Sequence, residues 1–196
     1  LTLLLHGAGE RGDDNRAQLR HGAAALAEAQ DRFPSVVVVP QCPAGQRWVE
    51  VDWGAAAHRQ PPRPSAPLGA VLGLLAALER ELPVDPRRRY ITGLSMGGFG
   101  TWDAITREPT RFATAVPICG GGDVATAARV AALPIWAFHG SLDEVVLPRR
   151  SRDMVRALHD AGGAPRYSEY ADVAHDAWER AYREPALLPW LFAQRR

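Results

Sequence analysis

The sequence contains no lysine, and it also has no large imbalance of charge. All 23 basic residues are arginine, 22 residues are acidic, and the formal net charge is +1. A chain so close to neutral lacks the basic surface that nucleic-acid binding requires. The densest basic cluster, Arg87–Arg89, has no interleaved aromatic residues, which is typical of a solvated loop. We therefore predict no nucleic-acid partner.

Cysteine is scarce, and long apolar runs are absent. Cys42 and Cys119 are too few for a disulfide framework, and their spacing does not match a metal site. No apolar run approaches the roughly 20 residues of a membrane-spanning helix. These absences predict no metal, no other cofactor and no membrane partner. No signal peptide is visible, but the chain starts at Leu1 inside a predicted strand. The compartment therefore stays open, with the cytoplasm as the default expectation.

Strand-like and helix-like segments alternate along the whole chain. Residues 1–5 are almost fully apolar, which is typical of a strand covered on both faces. The same patterns predict further strands at residues 35–39, 89–92, 112–118, 134–138 and 166–170, and helices at residues 15–30, 68–81, 96–107, 151–161 and 177–193. Asn15 is expected to cap the first helix. The alternation predicts one α/β domain over residues 1–196, with a mainly parallel sheet of about six strands and helices on both faces.

The most informative motif is Gly93-Leu94-Ser95-Met96-Gly97, which lies between a predicted strand and a predicted helix. A serine on such a tight turn has a strained backbone and an exposed hydroxyl, and only small neighbours let the strand and the helix approach closely. The N-terminus of the helix also directs its dipole and free N–H groups towards the serine. The motif therefore predicts that Ser95 is a catalytic nucleophile.

A serine nucleophile needs a base that takes its proton and a carboxylate that orients the base. After a nucleophile elbow of this kind, the acid comes next along the chain and the histidine last. Asp143 follows the predicted strand that ends at Phe138, and His175 follows the last predicted strand. Because parallel strands end at the same edge of a sheet, we expect Ser95, Asp143 and His175 to meet there.

Other acidic and histidine residues compete for these roles. Asp172 and Asp176 flank His175, but neither follows the preceding strand, so we interpret them as solvated or capping residues. His139 lies at the right edge but precedes the acid, which favours packing or hydrogen bonding. The remaining histidines are expected at the surface: His21, His58 and His159.

A glycine-rich segment, His-Gly-Ala-Gly at residues 6–9, directly follows the first predicted strand. Acyl transfer develops negative charge on a carbonyl oxygen, and backbone N–H donors fixed in advance stabilise that charge. A loop at this position supplies one donor, and the residue after the nucleophile supplies the other. The predicted oxyanion donors are the N–H groups of Ala8, with Gly9 as the next choice, and Met96. An ion pair made by Glu10 or Arg11 is a further hypothesis for bracing this loop.

These motifs together resemble those of bacterial phospholipase/carboxylesterase-like, prolyl-oligopeptidase-like and feruloyl-esterase-like esterases of the α/β-hydrolase superfamily. The similar segments are residues 5–15 (oxyanion loop), 93–102 (nucleophile elbow), 40–43 with Trp48 (substrate-side loop), 139–146 (acid loop) and 175–178 (histidine loop). The resemblance covers nearly the whole chain in the family's order. It implies Ser95 as nucleophile, Asp143 as acid and His175 as base, with Ala8 and Met96 as oxyanion donors.

In the resembled fold, two antiparallel strands come before the strand predicted at residues 1–5, and these strands are missing here. Either the chain is truncated or it is a minimal version of the fold. A bare sheet edge favours pairing with another chain, so we predict a homodimer or aggregation through that edge. The family's strand order also places the strands before Cys42 and Cys119 three positions apart. At about 4.8 Å per strand the thiols are about 14 Å apart, and we expect them to be free.

The interval that holds a lid in many lipases is short here, covering only residues 119–133. We therefore predict an open site without a lid domain, acting on short-chain or aryl carboxylic esters. Candidate substrate contacts are Trp48, Trp178 and Gly121, with Trp53 a weaker choice. Two other enzyme readings, a serine peptidase and a thioesterase, would use the same three catalytic residues. A non-catalytic binding module with the same fold is the alternative from a different class.

Overall fold

The six strands of the protein form one parallel sheet. A computed structural model describes residues 1–196. Its strands are β1 (Thr2–Leu5), β2 (Val37–Val38), β3 (Tyr90–Leu94), β4 (Thr114–Ile118), β5 (Trp136–Gly140) and β6 (Arg166–Tyr170). They lie in the order β2-β1-β3-β4-β5-β6, and every neighbouring pair is parallel. The strand order reverses between β1 and β3, which is where open α/β sheets form their binding crevices.

Helices cover both faces of this sheet, as the sequence predicts. They are α1 (Ala23–Glu28), α2 (Ala66–Glu81), α3 (Met96–Arg107), α4 (Arg149–Asp160), α5 (Ala177–Ala181) and α6 (Leu187–Ala193). Successive side chains of β1 point to opposite faces. Leu3 and Leu5 pack in a core with α2, α3 and α4, while Leu4 packs in a second core with α1, α5 and α6. No helix combines the length and the hydrophobicity that spanning a bilayer demands.

Two predicted helices are wrong in extent. The segment predicted as one helix from residue 15 to residue 30 contains a 3-10 turn, Ala17–Leu19, and then α1. Asn15 caps neither: Arg16 directly precedes the 3-10 turn, and α1 begins only after Gly22, where φ is 79° and a side chain would collide with the ring of Tyr182. The last predicted helix is likewise divided into α5 and α6.

The loop between β2 and α2 has no regular structure, but contacts at Trp48 and Ser65 fix its position. Trp48 is fully buried in the core. Ser65 donates a hydrogen bond to the carbonyl of Trp48 at 2.8 Å and accepts one from the N–H of Leu68, so it also caps α2. The loop therefore has a defined path along the carboxyl edge of the sheet.

The two cysteines lie far apart in the strand order. Cys42 follows β2 and Cys119 follows β4, so β1 and β3 separate them. Both thiols are buried and free, as predicted.

Candidate active site

Ser95 lies on a strained turn between β3 and α3. Its backbone angles are φ 54° and ψ −118°, a combination that residues with a Cβ atom rarely adopt. Glycines make the turn fit: a side chain at Gly97 would collide with the carbonyl group of Leu5, and one at Gly98 with the carbonyl of Ile118. The turn is therefore wedged between the backbones of the strands on either side.

The structure brings Ser95, His175 and Asp143 into one hydrogen-bonded chain. Ser95 Oγ lies 2.8 Å from His175 Nε2, and His175 Nδ1 lies 2.7 Å from Asp143 Oδ2. A carboxylate accepts, so Nδ1 carries the proton and leaves Nε2 free to accept from the serine hydroxyl. The serine and the histidine are partly exposed, whereas the aspartate is buried.

Three hydrogen bonds and one further histidine contact hold the Asp143 carboxylate. Oδ1 accepts the N–H groups of Val145 and Val146 at 3.0 and 2.9 Å. Oδ2 faces His175 and also His139 Nε2, which is 3.2 Å away. Burial alone would raise the pKa of this carboxyl, but the two histidines and the N–H of Val146 outweigh burial and hold the pKa well below its usual range. Asp143 is therefore ionised at neutral pH.

Two backbone N–H groups lie where oxyanion donors are predicted. Met96 is the first residue of α3, and Ala8 is the first residue of a 3-10 turn, Ala8–Glu10, so neither N–H has a partner within its own helix. The loop after β1 contacts the nucleophile, because a Cβ atom built on Gly7 would be 3.6 Å from Ser95 Cβ. Gly9, the second choice, is exposed and has open space around it.

The side chain of His6 stabilises the loop after β1 through two hydrogen bonds. Its Nε2 accepts the N–H of Cys42 at 2.8 Å, so its Nδ1 is the donor to the Gly7 carbonyl at 2.6 Å. Burial lowers the pKa of His6, which favours this neutral form. The indole N–H of Trp48 donates to the carbonyl of His6 at 3.0 Å. Of the two residues predicted to brace the loop by an ion pair, Arg11 makes none, and its Nε donates to the carbonyl of Ala8 at 2.8 Å instead. The carboxylate of Glu10 lies 3.8 Å from His21 Nε2.

Two of the three predicted substrate contacts are wrong. Trp48 has no exposed surface and braces the loop after β1. Gly121 is buried under Arg150, whose side chain occupies the space that a Cβ atom would need. Trp178 is half-buried, and its ring lies edge-on to His175 with 5.4 Å between centroids. The weaker choice, Trp53, lies beneath the guanidinium of Arg47.

Exposed apolar side chains lie on the loop around Asp143. The sequence patterns do not predict their exposure. Leu142 is 59% exposed, Val145 55% and Leu147 41%, although Asp143 and Val146 between them are buried. Large apolar side chains at such exposure on a loop beside a catalytic group are a candidate contact surface for substrate. In the sequence these residues appear only as apolar positions on either side of Asp143.

Two of the other four histidines differ from their predicted environments. His139 is fully buried and hydrogen-bonded, as predicted, and its Nε2 also lies 3.2 Å from Asp143 Oδ2. His58 is half-buried and accepts a hydrogen bond from Arg150, which contradicts a surface position. His21 is also half-buried, with Nδ1 2.9 Å from Glu179. His159 is exposed.

One group of residues has the donor atoms of a metal site. Potential ligand atoms of Cys119, His139 and Asp143 lie within 4.8 Å of one another, and all three residues are buried. The carboxylate already accepts three hydrogen bonds, and burial together with the charge of Asp143 raises the pKa of the Cys119 thiol. A metal binds the thiolate, so this group is chemically ill-suited to one.

Comparisons with known proteins agree with this architecture. No protein-family model matches the chain. A solved structure of a thermostable esterase is 41% identical, with a TM-score of 0.91, over 100% of this chain and 54% of that chain. A ferulic acid esterase structure is 19% identical, with a TM-score of 0.66, over 97% of this chain and 83% of that one.

A curated relative extends the same pattern. The bifunctional acetylxylan esterase/xylanase XynS20E of Neocallimastix patriciarum is 26% identical over 118 residues, which are 60% of this chain and 17% of that protein. The chain thus spans about half of the thermostable esterase and about a sixth of the curated relative. The sheet, the helices on both faces and these structural neighbours establish that the chain has the α/β-hydrolase fold.

Proposed function

We propose that the protein is a serine carboxylesterase that hydrolyses short-chain or aryl carboxylic esters through an acyl-enzyme. The observation that carries the proposal is the chain of hydrogen bonds from Ser95 through His175 to Asp143, at 2.8 and 2.7 Å. In this role Ser95 is the nucleophile, His175 the general base and acid, and Asp143 the residue that orients the histidine. The activities in the names of the similar proteins support the same reaction class.

Acylation begins when His175 Nε2 takes the hydroxyl proton of Ser95 while Oγ forms a bond to the carbonyl carbon of the ester. The carbonyl oxygen becomes an oxyanion, which the N–H groups of Ala8 and Met96 stabilise. The Asp143 carboxylate stabilises the imidazolium that forms. The bond to the alcohol oxygen then breaks, and the alcohol leaves with the proton from His175 Nε2.

Deacylation repeats these steps with water. His175 takes a proton from the water as its oxygen attacks the acyl carbon, and a second oxyanion forms at the same donors. Its collapse breaks the bond to Ser95 Oγ, which recovers the proton from His175, and the carboxylic acid departs. Since His175 must be neutral to act as a base, we expect activity to rise between mildly acidic and neutral pH.

The surface beside the site supports a small, partly apolar substrate. The exposed side chains of Leu142 and Val145 flank the acid, and the ring of Trp178 stands against the base. Aromatic and aliphatic surface of this kind suits an aryl group or a short acyl chain. The names of the similar ferulic acid esterase and acetylxylan esterase fit the same substrate class.

Hydrolysis of p-nitrophenyl acetate, butyrate, octanoate and palmitate tests the proposal, with Ser95→Ala as the control. We expect rapid turnover of the acetate and the butyrate, slow turnover of the palmitate, and loss of turnover in Ser95→Ala by about 10³-fold or more. Unchanged turnover in Ser95→Ala would contradict the assignment. A p-nitroanilide and a thioester of the same acyl group distinguish the peptidase and thioesterase alternatives, because either would then be the preferred substrate.

We also propose that two copies pair through the β2 edge. β2 is an edge strand of two residues, Val37–Val38, and beside it lies a groove of about 550 Å³ with a mostly apolar lining. An open strand edge next to apolar surface favours pairing. Light scattering at increasing concentration should report a dimer that Val37→Arg converts to a monomer. A monomer at all concentrations contradicts this proposal.

A further inference from the structure

Two histidines share one oxygen of the catalytic acid, and the proposed mechanism uses only one of them. Asp143 Oδ2 lies 2.7 Å from His175 Nδ1 and 3.2 Å from His139 Nε2. His175 lies on a loop and is partly exposed, whereas His139 is in β5 and has no exposed surface. A buried ring whose N–H lies this close to a reacting carboxylate can influence the reaction without touching the substrate.

The hydrogen bonds around His139 identify which ring nitrogen carries a proton. Nε2 donates to the carbonyl of Val146 at 2.8 Å and also lies 3.2 Å from Asp143 Oδ2, so Nε2 carries the N–H. Nδ1 lies 2.7 Å from Ser151 Oγ, which is itself 3.0 Å from the carbonyl of Gly120. Ser151 has one proton for these two partners. If it goes to Nδ1, His139 is neutral; if it goes to Gly120, His139 is a cation that donates at both nitrogens.

The charged neighbours of His139 leave Asp143 as its one carboxylate contact. Glu169 of β6 stands opposite His139 in the sheet register, but its carboxylate binds Arg152 Nε at 2.8 Å and the Tyr167 hydroxyl at 2.6 Å. The thiol of Cys119 is the remaining titratable group near the ring, and burial keeps it protonated by raising its pKa. His139 therefore acts on the site through Asp143.

We propose that His139 is a positioning residue that holds Asp143 Oδ2 in line with His175 and draws on the negative charge of that oxygen. The proposal rests on the function proposed above. An N–H donor 3.2 Å from Oδ2 draws on the charge of the carboxylate and makes it a weaker partner for the imidazolium form of His175. Without that donor the imidazolium is more stable, and the pH below which the base is protonated rises. The direction is the same whether His139 is neutral or a cation.

A matched pair of variants tests this proposal. An asparagine at position 139 puts its amide where Nδ1 lies and leaves Asp143 without the second donor, whereas a glutamine can bring an N–H to the place of Nε2. With p-nitrophenyl acetate, the acid limb of the kcat/KM profile of His139→Asn should move up by about 0.5–1 pH unit, and kcat should fall about 10-fold. His139→Gln should keep the wild-type limb and lose about threefold in kcat or less.

Ser151→Ala is the control, because it removes the Nδ1 partner and leaves the bond to Asp143. It should keep the wild-type acid limb, even if the melting temperature falls. Equal acid limbs in His139→Asn, His139→Gln and wild type would overturn the proposal and leave a purely structural role.

A second measurement covers the case in which His139→Asn does not fold, and it needs no ester. Histidine ¹⁵N shifts of Ser95→Ala, followed from about pH 5 to pH 9, report the protonation of each ring nitrogen. We expect His139 Nε2 to be protonated throughout and its shift to follow the titration of His175. An unprotonated Nε2 at neutral pH, or a shift that ignores His175, overturns the proposal. Loss of the proposed function would instead appear as ester turnover that survives in Ser95→Ala.

Discussion

The nucleophile and the base of this site are supported by very different surroundings. Ser95 precedes α3, in which 11 of 12 residues are buried, and its turn is wedged between backbone atoms of β1 and β4. His175 precedes α5, in which only Ala177 and Ala181 of five residues are buried, and residues on both sides of it are exposed. Substitutions at the glycines of the nucleophile turn should therefore act through folding, whereas those at the base should act on the chemistry alone.

The strongest way to break this contrast is a methyl group at the nucleophile turn. Gly97→Ala directs its Cβ into the carbonyl group of Leu5, and a strand backbone in the middle of the sheet cannot yield. We expect the free energy of unfolding to fall by about 4 kcal/mol or more, as measured by chemical denaturation. Gly73→Ala is the matched control, because Gly73 is an exposed helix position with open space around it. It should stabilise the protein by up to about 1 kcal/mol. A Gly97→Ala protein as stable as wild type would refute the close packing of the turn.

Removal of the base tests the other half of the contrast. His175→Ala should lower kcat/KM by about 10³-fold or more while the melting temperature stays within about 3 °C of wild type, since the ring is partly exposed. Ester hydrolysis and a thermal melt on the same sample measure both effects. A large loss of stability would show that the histidine loop is as integral to the core as the nucleophile turn.

A smaller effect is expected where the loop after β1 is braced. Trp48→Phe removes the N–H that donates to His6 and should cost about 1 kcal/mol of stability and about threefold in kcat. Trp53→Phe is the control, because the indole N–H of Trp53 has no hydrogen-bond partner. Denaturant midpoints and kcat should separate the two variants. Equal losses in both would mean that the bond to His6 contributes nothing beyond ring packing.

The smallest effect concerns acid stability away from the catalytic residues. Burial, and then the charge of Arg150, lowers the pKa of His58 to about 4, against about 6.5 in the unfolded chain. The unfolded state binds the proton more readily, so the contribution is complete above about pH 6.5 and is lost as the pH falls towards 4. Between pH 7 and 5 these values correspond to a loss of about 2 kcal/mol, and because the ring is only half-buried, solvent screening reduces the expected loss to about 1 kcal/mol.

His58→Gln should remove that part of the pH dependence, because a glutamine oxygen can accept from Arg150 without titrating. Urea denaturation at pH 7 and at pH 5 measures the difference. A variant with the same pH dependence as wild type would show that His58 is not the group responsible.

Local patterns predict the central strands and the meeting of the three proposed catalytic residues. The span of α3 and that of β6 agree with prediction to the residue, because a motif or a clear turn marks each end. The meeting of Ser95, Asp143 and His175 follows from strand order, since all three lie after carboxyl ends of parallel strands. Residues that directly follow the strands can therefore be placed from the sequence, because the parallel sheet brings them to one edge.

Features that depend on distant contacts could not be predicted in this way. The break at Gly22 is set by the ring of Tyr182, which lies 160 positions further along the chain. Trp48 is hydrophobic enough for either a core or a binding surface, and only the position of the His6 carbonyl decides between them. The position of His139 before Asp143 in the chain argues against a role as the base, but it does not show where Nε2 of His139 points.

Covalent labelling with a fluorophosphonate tests the central claim most directly. Intact-mass measurement, followed by peptide mapping, should find one adduct per chain on Ser95, none on Ser95→Ala, and strongly slowed labelling of His175→Ala. A folded wild-type protein that stays unlabelled, or one that is labelled equally with Ser95 replaced, would contradict the assignment of Ser95 as the nucleophile.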